Sequence, residues 1–180
     1  LLLLCSIMFV KAQTFQQKLQ TAVTNSWSGS GLPGVSVAVS TPNLGMVYAS
    51  AGIGNVYTQS SILSNTQYRI ASATKNFTAT LIMRLQDAGY FNINDKLSQH
   101  LVIPGLPNGS TITIKQLLQH TAGVGDYLNG SSAFINAAVP DKIFTDAEIV
   151  GYINNMGASF TPGSSYEYSN AGFYLLGMLI

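Results

Sequence analysis

Charge is what this sequence has least of. Charged residues make up 8% of its 180 positions, against roughly 25% in an average soluble domain. The 8 Lys and Arg residues are scattered and form no basic run, which excludes the footprint of a nucleic-acid-binding protein. A formal net charge of +1 gives no reason to expect a polyanionic partner. Cys5 is the only cysteine. If it leaves with an export segment, disulfide, zinc-thiolate and cysteine-nucleophile readings fail together. His100, His120 and 7 acids show no metal-ligand spacing, so no metal partner is expected. Asp141, Asp146 and Glu148 read as a solvated face and helix-start charges. There is no internal repeat and no low-complexity segment.

What is present is 47% hydrophobic residues, with polarity supplied by Ser, Thr, Asn and Gln. That mix is not the charge-rich composition of disorder, and the length suits one domain with a real core. Leu1 to Val10 is one apolar run, too short to span a bilayer as a helix. It suits the apolar region of a signal peptide, with Val10-Lys11-Ala12 as the cleavage site before Gln13. The other reading is a buried N-terminal helix or a retained anchor. Leu4 before Cys5 speaks against lipidation of that cysteine. The division expected is therefore 1–12, a partial signal peptide, and 13–180, one domain incomplete at its C-terminus. The protein is expected to be secreted or periplasmic, touching a membrane only through the export signal.

Phe15 to Ser26 has helical spacing at Phe15, Leu19, Ala22 and Val23. Val35, Val37 and Val39 alternate as a strand, and Met46 to Ala51 continues as its hairpin partner across Pro42-Asn43. Ser60 to Gln67 reads as polar loop. Thr74 to Ala88 is the best helix, with Phe77, Leu81, Leu85 and Ala88 on one face and Gly89 as its stop. Thr113 and Gln116 form a capping box for a short helix carrying Leu117 and Leu118. Asp146 to Met156 is amphipathic, and Asn170 to Ile180 is an apolar helix. A lone hairpin is marginal in water, so its missing partner strands are expected downstream of Ile180.

Two clusters carry chemistry. In Ser72-Ala73-Thr74-Lys75, the serine stands at the start of the best helix. A serine there can be a simple N-cap. A lysine in the first turn opposes the helix dipole, however, and residues three apart share a face. The two can therefore meet, and a partly desolvated amine can take the proton of a serine hydroxyl. The helix start also offers backbone N–H groups to an oxyanion. The second cluster is Tyr168-Ser169-Asn170, between the turn at Pro162-Gly163 and an apolar helix. A phenol beside an ammonium can shuttle a proton, and an asparagine amide can hold a substrate amide. The plain alternative is a packed turn tyrosine and a capping Asn170.

Ser72-x-x-Lys75 followed by Tyr168-Ser169-Asn170 resembles the motif pair of class C β-lactamases, D-alanyl-D-alanine carboxypeptidases and related serine esterases. The sister set in class A enzymes and penicillin-binding proteins is S-x-x-K, S-D-N and K-T-G. Tyr68-Arg69-Ile70-Ala71-Ser72, Leu117-Leu118-Gln119-His120-Thr121-Ala122-Gly123 and Pro162-Gly163 extend the likeness over nearly everything after residue 12. The resemblance implies a β-lactamase/transpeptidase-like α/β (α+β) fold: an antiparallel sheet with flanking helices plus a mostly helical region. It implies a serine hydrolase that works through an acyl-enzyme on an amide, β-lactam or ester, without cofactor or metal. The partner is a small-molecule or peptide substrate. Ser72 attacks the carbonyl, Lys75 accepts its proton, Tyr168 relays a proton to the leaving group, and Asn170 positions the substrate amide. The Ser72 backbone N–H gives half of an oxyanion hole.

One departure stands out. A K-T-G or H-T-G triplet should follow the tyrosine motif on a strand, and none precedes Ile180. His120-Thr121-Ala122-Gly123 comes before Tyr168, and its family counterpart is a structural helix end. The 180 residues alone are expected to be inactive. Within hydrolases, a rival is a Ser-His-Asp triad with His120 and Asp126, but no G-x-S-x-G elbow supports it. Outside them, the rival is a non-catalytic peptidoglycan or β-lactam sensor, or a pseudoenzyme on the same scaffold. Asn76, Asn108 and Asn129 each begin a glycosylation sequon, and a glycan on Asn76 would contradict an active site beside it.

Overall fold

The computed structural model describes residues 13–130 and 142–180. The expected export segment with Cys5, the acid Asp141 and the sequon ending at Ser131 lie outside them. The chain divides into two compact units, one up to Arg69 and one from Ile70 onward.

In the first unit, helix α1 (Phe15–Trp27) starts at Thr14, which closes a full capping box with Gln17. Strands β1 (Gly34–Thr41) and β2 (Gly45–Asn55) form the expected hairpin, antiparallel with Val37 opposite Ala49 and Val39 opposite Val47. Val23 of α1 is buried, and α1 is tied to β2 by Gln16 Nε2 donating to Tyr48 O and Gln20 Nε2 to Ser50 O. The stretch from Ser60 is not all loop. Asn55 folds its side chain back to accept from the Tyr57 and Thr58 amides, and this turn returns the chain as β3 (Ser60–Ser61) along β2. A two-residue strand has too little alternation to register as a pattern in sequence.

The second unit is mostly helical. Its helices are α2 (Thr74–Asp87), α3 (Ile114–Leu118), α4 (Tyr127–Gly130), α5 (Asp146–Met156) and α6 (Asn170–Leu179). Capping boxes open α3 at Thr113 and α5 at Thr145. Ile82, Ile114, Leu117, Ile153, Leu175 and Leu176 are wholly buried in one cluster, each contributing roughly 1.5–3 kcal/mol. The α2 face expected inward is only partly so. Ile82 carries the burial, whereas Phe77 is 69% exposed and Leu81 44%. The inward stripe runs through Lys75, Thr78, Ala79, Ile82, Leu85 and Gln86. Counting apolar residues misses it because three of its members, Lys75, Thr78 and Gln86, are polar. Asp146 is more than a solvated helix-start charge: it accepts a 2.6 Å hydrogen bond from Tyr174 Oη, tying α6 to the start of α5. Burial and this carboxylate push the Tyr174 phenol up to about 12. Among the described residues, no helix is long and apolar enough to cross a membrane.

One further feature positions the site. The segment after α3 runs alongside the segment before α6. Gly125 N bonds Gly157 O, Ser159 N bonds Gly123 O, Gly163 N bonds Thr121 O and Glu167 N bonds His120 O. Four contacts in succession set where residues 167–170 fall relative to His120 and Asp126.

Candidate active site

Ser72 does not cap α2. It lies inside a 3-10 turn, Ala71–Ala73, and the cap position of α2 is Ala73, without a side-chain cap bond. Ala71 has φ +44°, a conformation that strains an L-residue. The chain therefore bends sharply just before Ser72, and the serine is exposed with its hydroxyl available to other groups. Lys75, three residues on, is half-buried, and its Nζ lies 3.4 Å from Ser72 Oγ.

The second cluster arrives from α6. Ser169 is the N-cap of that helix, accepting from Gly172 N. Asn170 is therefore the first helical residue, not the cap, and its amide is left for the site. Asn170 Oδ1 accepts a 2.7 Å hydrogen bond from Lys75 Nζ. Tyr168 Oη donates to Ser72 Oγ at 2.9 Å. Lys75 Nζ also stands 4.8 Å from the centroid of the Tyr168 ring and 5.7 Å from that of Phe173, within cation–π range. The structure thus brings all four expected side chains, Ser72, Lys75, Tyr168 and Asn170, into one cluster. The Tyr168 hydroxyl is held below the usual phenol range, first by the neighbouring Lys75 ammonium and then by Ser72.

The two residues of the alternative triad, His120 and Asp126, are used differently. His120 Nδ1 accepts from the Ser169 amide at 3.1 Å, and its ring lies against Tyr168 with centroids 4.6 Å apart. Burial, helped by the Lys75 charge, lowers the His120 pKa. An unprotonated Nδ1 is what the Ser169 bond requires. Asp126 is 3% exposed. Its Oδ2 accepts from Asn170 Nδ2 at 2.8 Å and its Oδ1 from Leu128 N at 3.1 Å. Neither hydrogen bond is the Ser-His-Asp chain of a triad. A sequence signal for Asp126 did exist: it is the lone acid in the apolar and glycine stretch Ala122 to Tyr127. An acid that is buried is almost always paired. No group of three His, Cys, Asp or Glu side chains that could hold a metal occurs among the described residues.

Comparison with known proteins gives the same picture of relationship. The family model described as Beta-lactamase matches residues 12–180. The protein flp of Staphylococcus aureus (strain MW2) is 31% identical over 172 residues, which is 92% of this chain and 33% of that protein. Penicillin-binding protein 4* of Bacillus subtilis (strain 168) is 32% identical over 137 residues, 75% of this chain and 29% of that one. Among solved structures, the D-amino acid amidase from Ochrobactrum anthropi SV3 superposes with a TM-score of 0.73 at 26% identity, covering 92% of this chain and 46% of the amidase. This chain therefore spans about a third of the curated relatives it matches and under half of that solved structure.

Proposed function

The chain belongs to the β-lactamase family, and on that premise we propose that Ser72 is the nucleophile of a serine hydrolase that cleaves an amide, β-lactam or ester through an acyl-enzyme. One observation carries the proposal: the exposed Ser72 hydroxyl is bracketed by a phenol at 2.9 Å and an ammonium at 3.4 Å.

The geometry favours Tyr168 over Lys75 for taking the serine proton. Tyr168 makes the shorter contact, and the short bond of Lys75 is engaged by Asn170 Oδ1. The lowered Tyr168 pKa enlarges the fraction of phenolate, the form that can act as base. In the proposed sequence the phenolate removes the Ser72 proton, and Oγ forms a bond to the substrate carbonyl carbon. The Ser72 backbone N–H, at the start of a helical turn, stabilises the oxyanion. The phenol returns its proton to the leaving amine or alkoxide as that bond breaks. Water then loses a proton to Tyr168 as its oxygen bonds the acyl carbon; the bond to Oγ breaks, Tyr168 returns the proton to Ser72 Oγ, and the acid leaves. Lys75 holds the phenolate in place. The second N–H of the Asn170 amide is the group proposed to meet the substrate carbonyl. The apolar run over residues 1–10 supports export as part of the same proposal.

The likeness to a D-amino acid amidase makes D-amino acid amides the first substrates to try, beside a penicillin and an activated ester. The test is labelling of the full-length protein by a fluorescent penicillin or ester, followed over time. Labelling that vanishes in Ser72→Ala, with turnover in the wild type, is the expected result. Undiminished labelling of Ser72→Ala would overturn the proposal. A label that stays on Ser72 without turnover would point to a sensor instead.

A further inference from the structure

We propose that Asp126 is a positioning residue that dictates which way the Asn170 amide faces, and through it holds Lys75 at the serine. The inference rests on the reading of Ser72, Lys75 and Tyr168 given above.

A carboxylate only accepts hydrogen bonds, and an ammonium only donates them. Asn170 stands between one of each. Its Nδ2 must therefore face Asp126 Oδ2, at 2.8 Å, and its Oδ1 must face Lys75 Nζ, at 2.7 Å. Turned the other way, the amide would set N–H groups against an ammonium and an oxygen against a buried carboxylate. Each mismatch leaves a polar group facing a group it cannot bond, which is unfavourable away from water. Asp126 is well placed to enforce the choice. It is 3% exposed, and its other oxygen is fixed by the Leu128 amide, so the carboxylate cannot swing away. Lysine has four rotatable bonds and a large entropy to lose on fixation. Without an oxygen to hold it, its ammonium leaves the position 3.4 Å from Ser72 Oγ, and the main influence lowering the Tyr168 pKa goes with it.

Asp126→Asn separates this role from capping. An asparagine has one carbonyl oxygen, and the Leu128 amide takes it. Its NH2 then faces Asn170 and turns that amide over. Asp126→Ser is the companion variant, since a serine oxygen can still cap Leu128 but is too short to reach Asn170. The readouts are the acylation rate with p-nitrophenyl acetate, the thermal midpoint, and titration of the Tyr168 phenol by the 13Cζ shift of labelled tyrosine, assigned with Tyr168→Phe. In both variants acylation should slow by about 10²-fold, the order expected when a reacting group is displaced by an ångström. The phenol should titrate at higher pH. Loss of the Asp126 charge acts the other way on the phenol, but it is the weakest of the influences on it. In an Asn170→Ala background, Asp126→Asn should add nothing to the loss of rate, since the effect passes through that amide. A phenol titration unchanged from wild type, or losses that multiply with those of Asn170→Ala, would overturn the inference. So would a rate that falls only in step with the thermal midpoint. Ser72→Ala is the control for the underlying reading. If it acylates normally, the nucleophile is wrong, yet the phenol titration still tests Asp126 by itself.

Discussion

Tyr168 Oη reaches Ser72 Oγ at 2.9 Å although 96 positions separate the two in sequence. What holds the phenol there is His120, through its main chain and its ring. Glu167 N bonds His120 O, Ser169 N bonds His120 Nδ1, and the tyrosine ring between them lies against the imidazole. Removing only the hydroxyl should therefore remove chemistry and leave the fold. In Tyr168→Phe we expect acylation by a reporter ester to slow by about 10²–10⁴-fold, the usual contribution of a positioned acid–base group. The thermal midpoint should barely move, because the ring and its contact with His120 remain. A Tyr168→Phe protein that acylates at the wild-type rate would remove Tyr168 from the mechanism.

The lowered phenol pKa sets a pH dependence with a definite sign. In the proposed mechanism the active form is the phenolate, so the acylation rate should rise with pH and level off below about 10, the ordinary tyrosine value. The largest cause of the lowering is Lys75. Replacing it in Lys75→Met should therefore move that limb to higher pH, besides slowing the reaction. Stopped-flow acylation across the pH range measures both. A limb that stays in place in Lys75→Met would mean that another group titrates there.

His120 sets an acid limit of a different kind. Its pKa is lowered in the folded protein, so the unfolded chain binds a proton more readily. The stability this contributes is fully present above about pH 6.5, the unfolded value. It is lost as pH falls through the lower folded value, where protonation removes the acceptor for Ser169 N. His120→Asn keeps an acceptor oxygen and tolerates the φ of +58° found at this position, as asparagine does, but has no proton to gain. The thermal midpoint of the wild type should fall more steeply between about pH 7 and pH 5 than that of His120→Asn. Parallel curves would show that His120 is not the titrating brace.

Much of this was readable in the residues, for physical reasons that differ from part to part. Helix starts were legible because capping is local: Thr113 with Gln116 announces α3 within four positions. The hairpin of β1 and β2 was legible because alternation is a strong signal over eight residues. The pairing of Ser72 with Lys75 follows from helix geometry alone. Tyr168 and Asn170, by contrast, were tied to them by family likeness, since nothing in the spacing of residues 72 and 168 says they meet. The inward face of α2 is hidden from a count of apolar residues because Lys75, Thr78 and Gln86 lie on it. The uses of His120 and Asp126 were out of reach for a related reason. They depend on the pairing of residues 120–125 with 157–167, which is made by main-chain groups common to every sequence.

That pairing can be probed by one substitution with opposite effects at two glycines. Gly123 has φ +68°, and a Cβ there would stand 2.1 Å from the carbonyl oxygen of Phe160. The obstacle is backbone, so the two segments must separate. The left-handed conformation adds its own strain for a residue with a side chain. Together these should cost about 2–5 kcal/mol in Gly123→Ala. Because the same pairing carries His120 and the approach to Tyr168, acylation should fall as well. Gly177 lies within α6, and a Cβ there meets nothing within 4 Å. Alanine at that point only removes the flexibility of the unfolded chain and should stabilise by roughly 0.5–1 kcal/mol. Chemical denaturation of the two variants measures the difference. Equal stabilities would mean that residues 120–125 do not depend on close packing against the segment before α6, and the backbone account of how Tyr168 reaches Ser72 would fail with it.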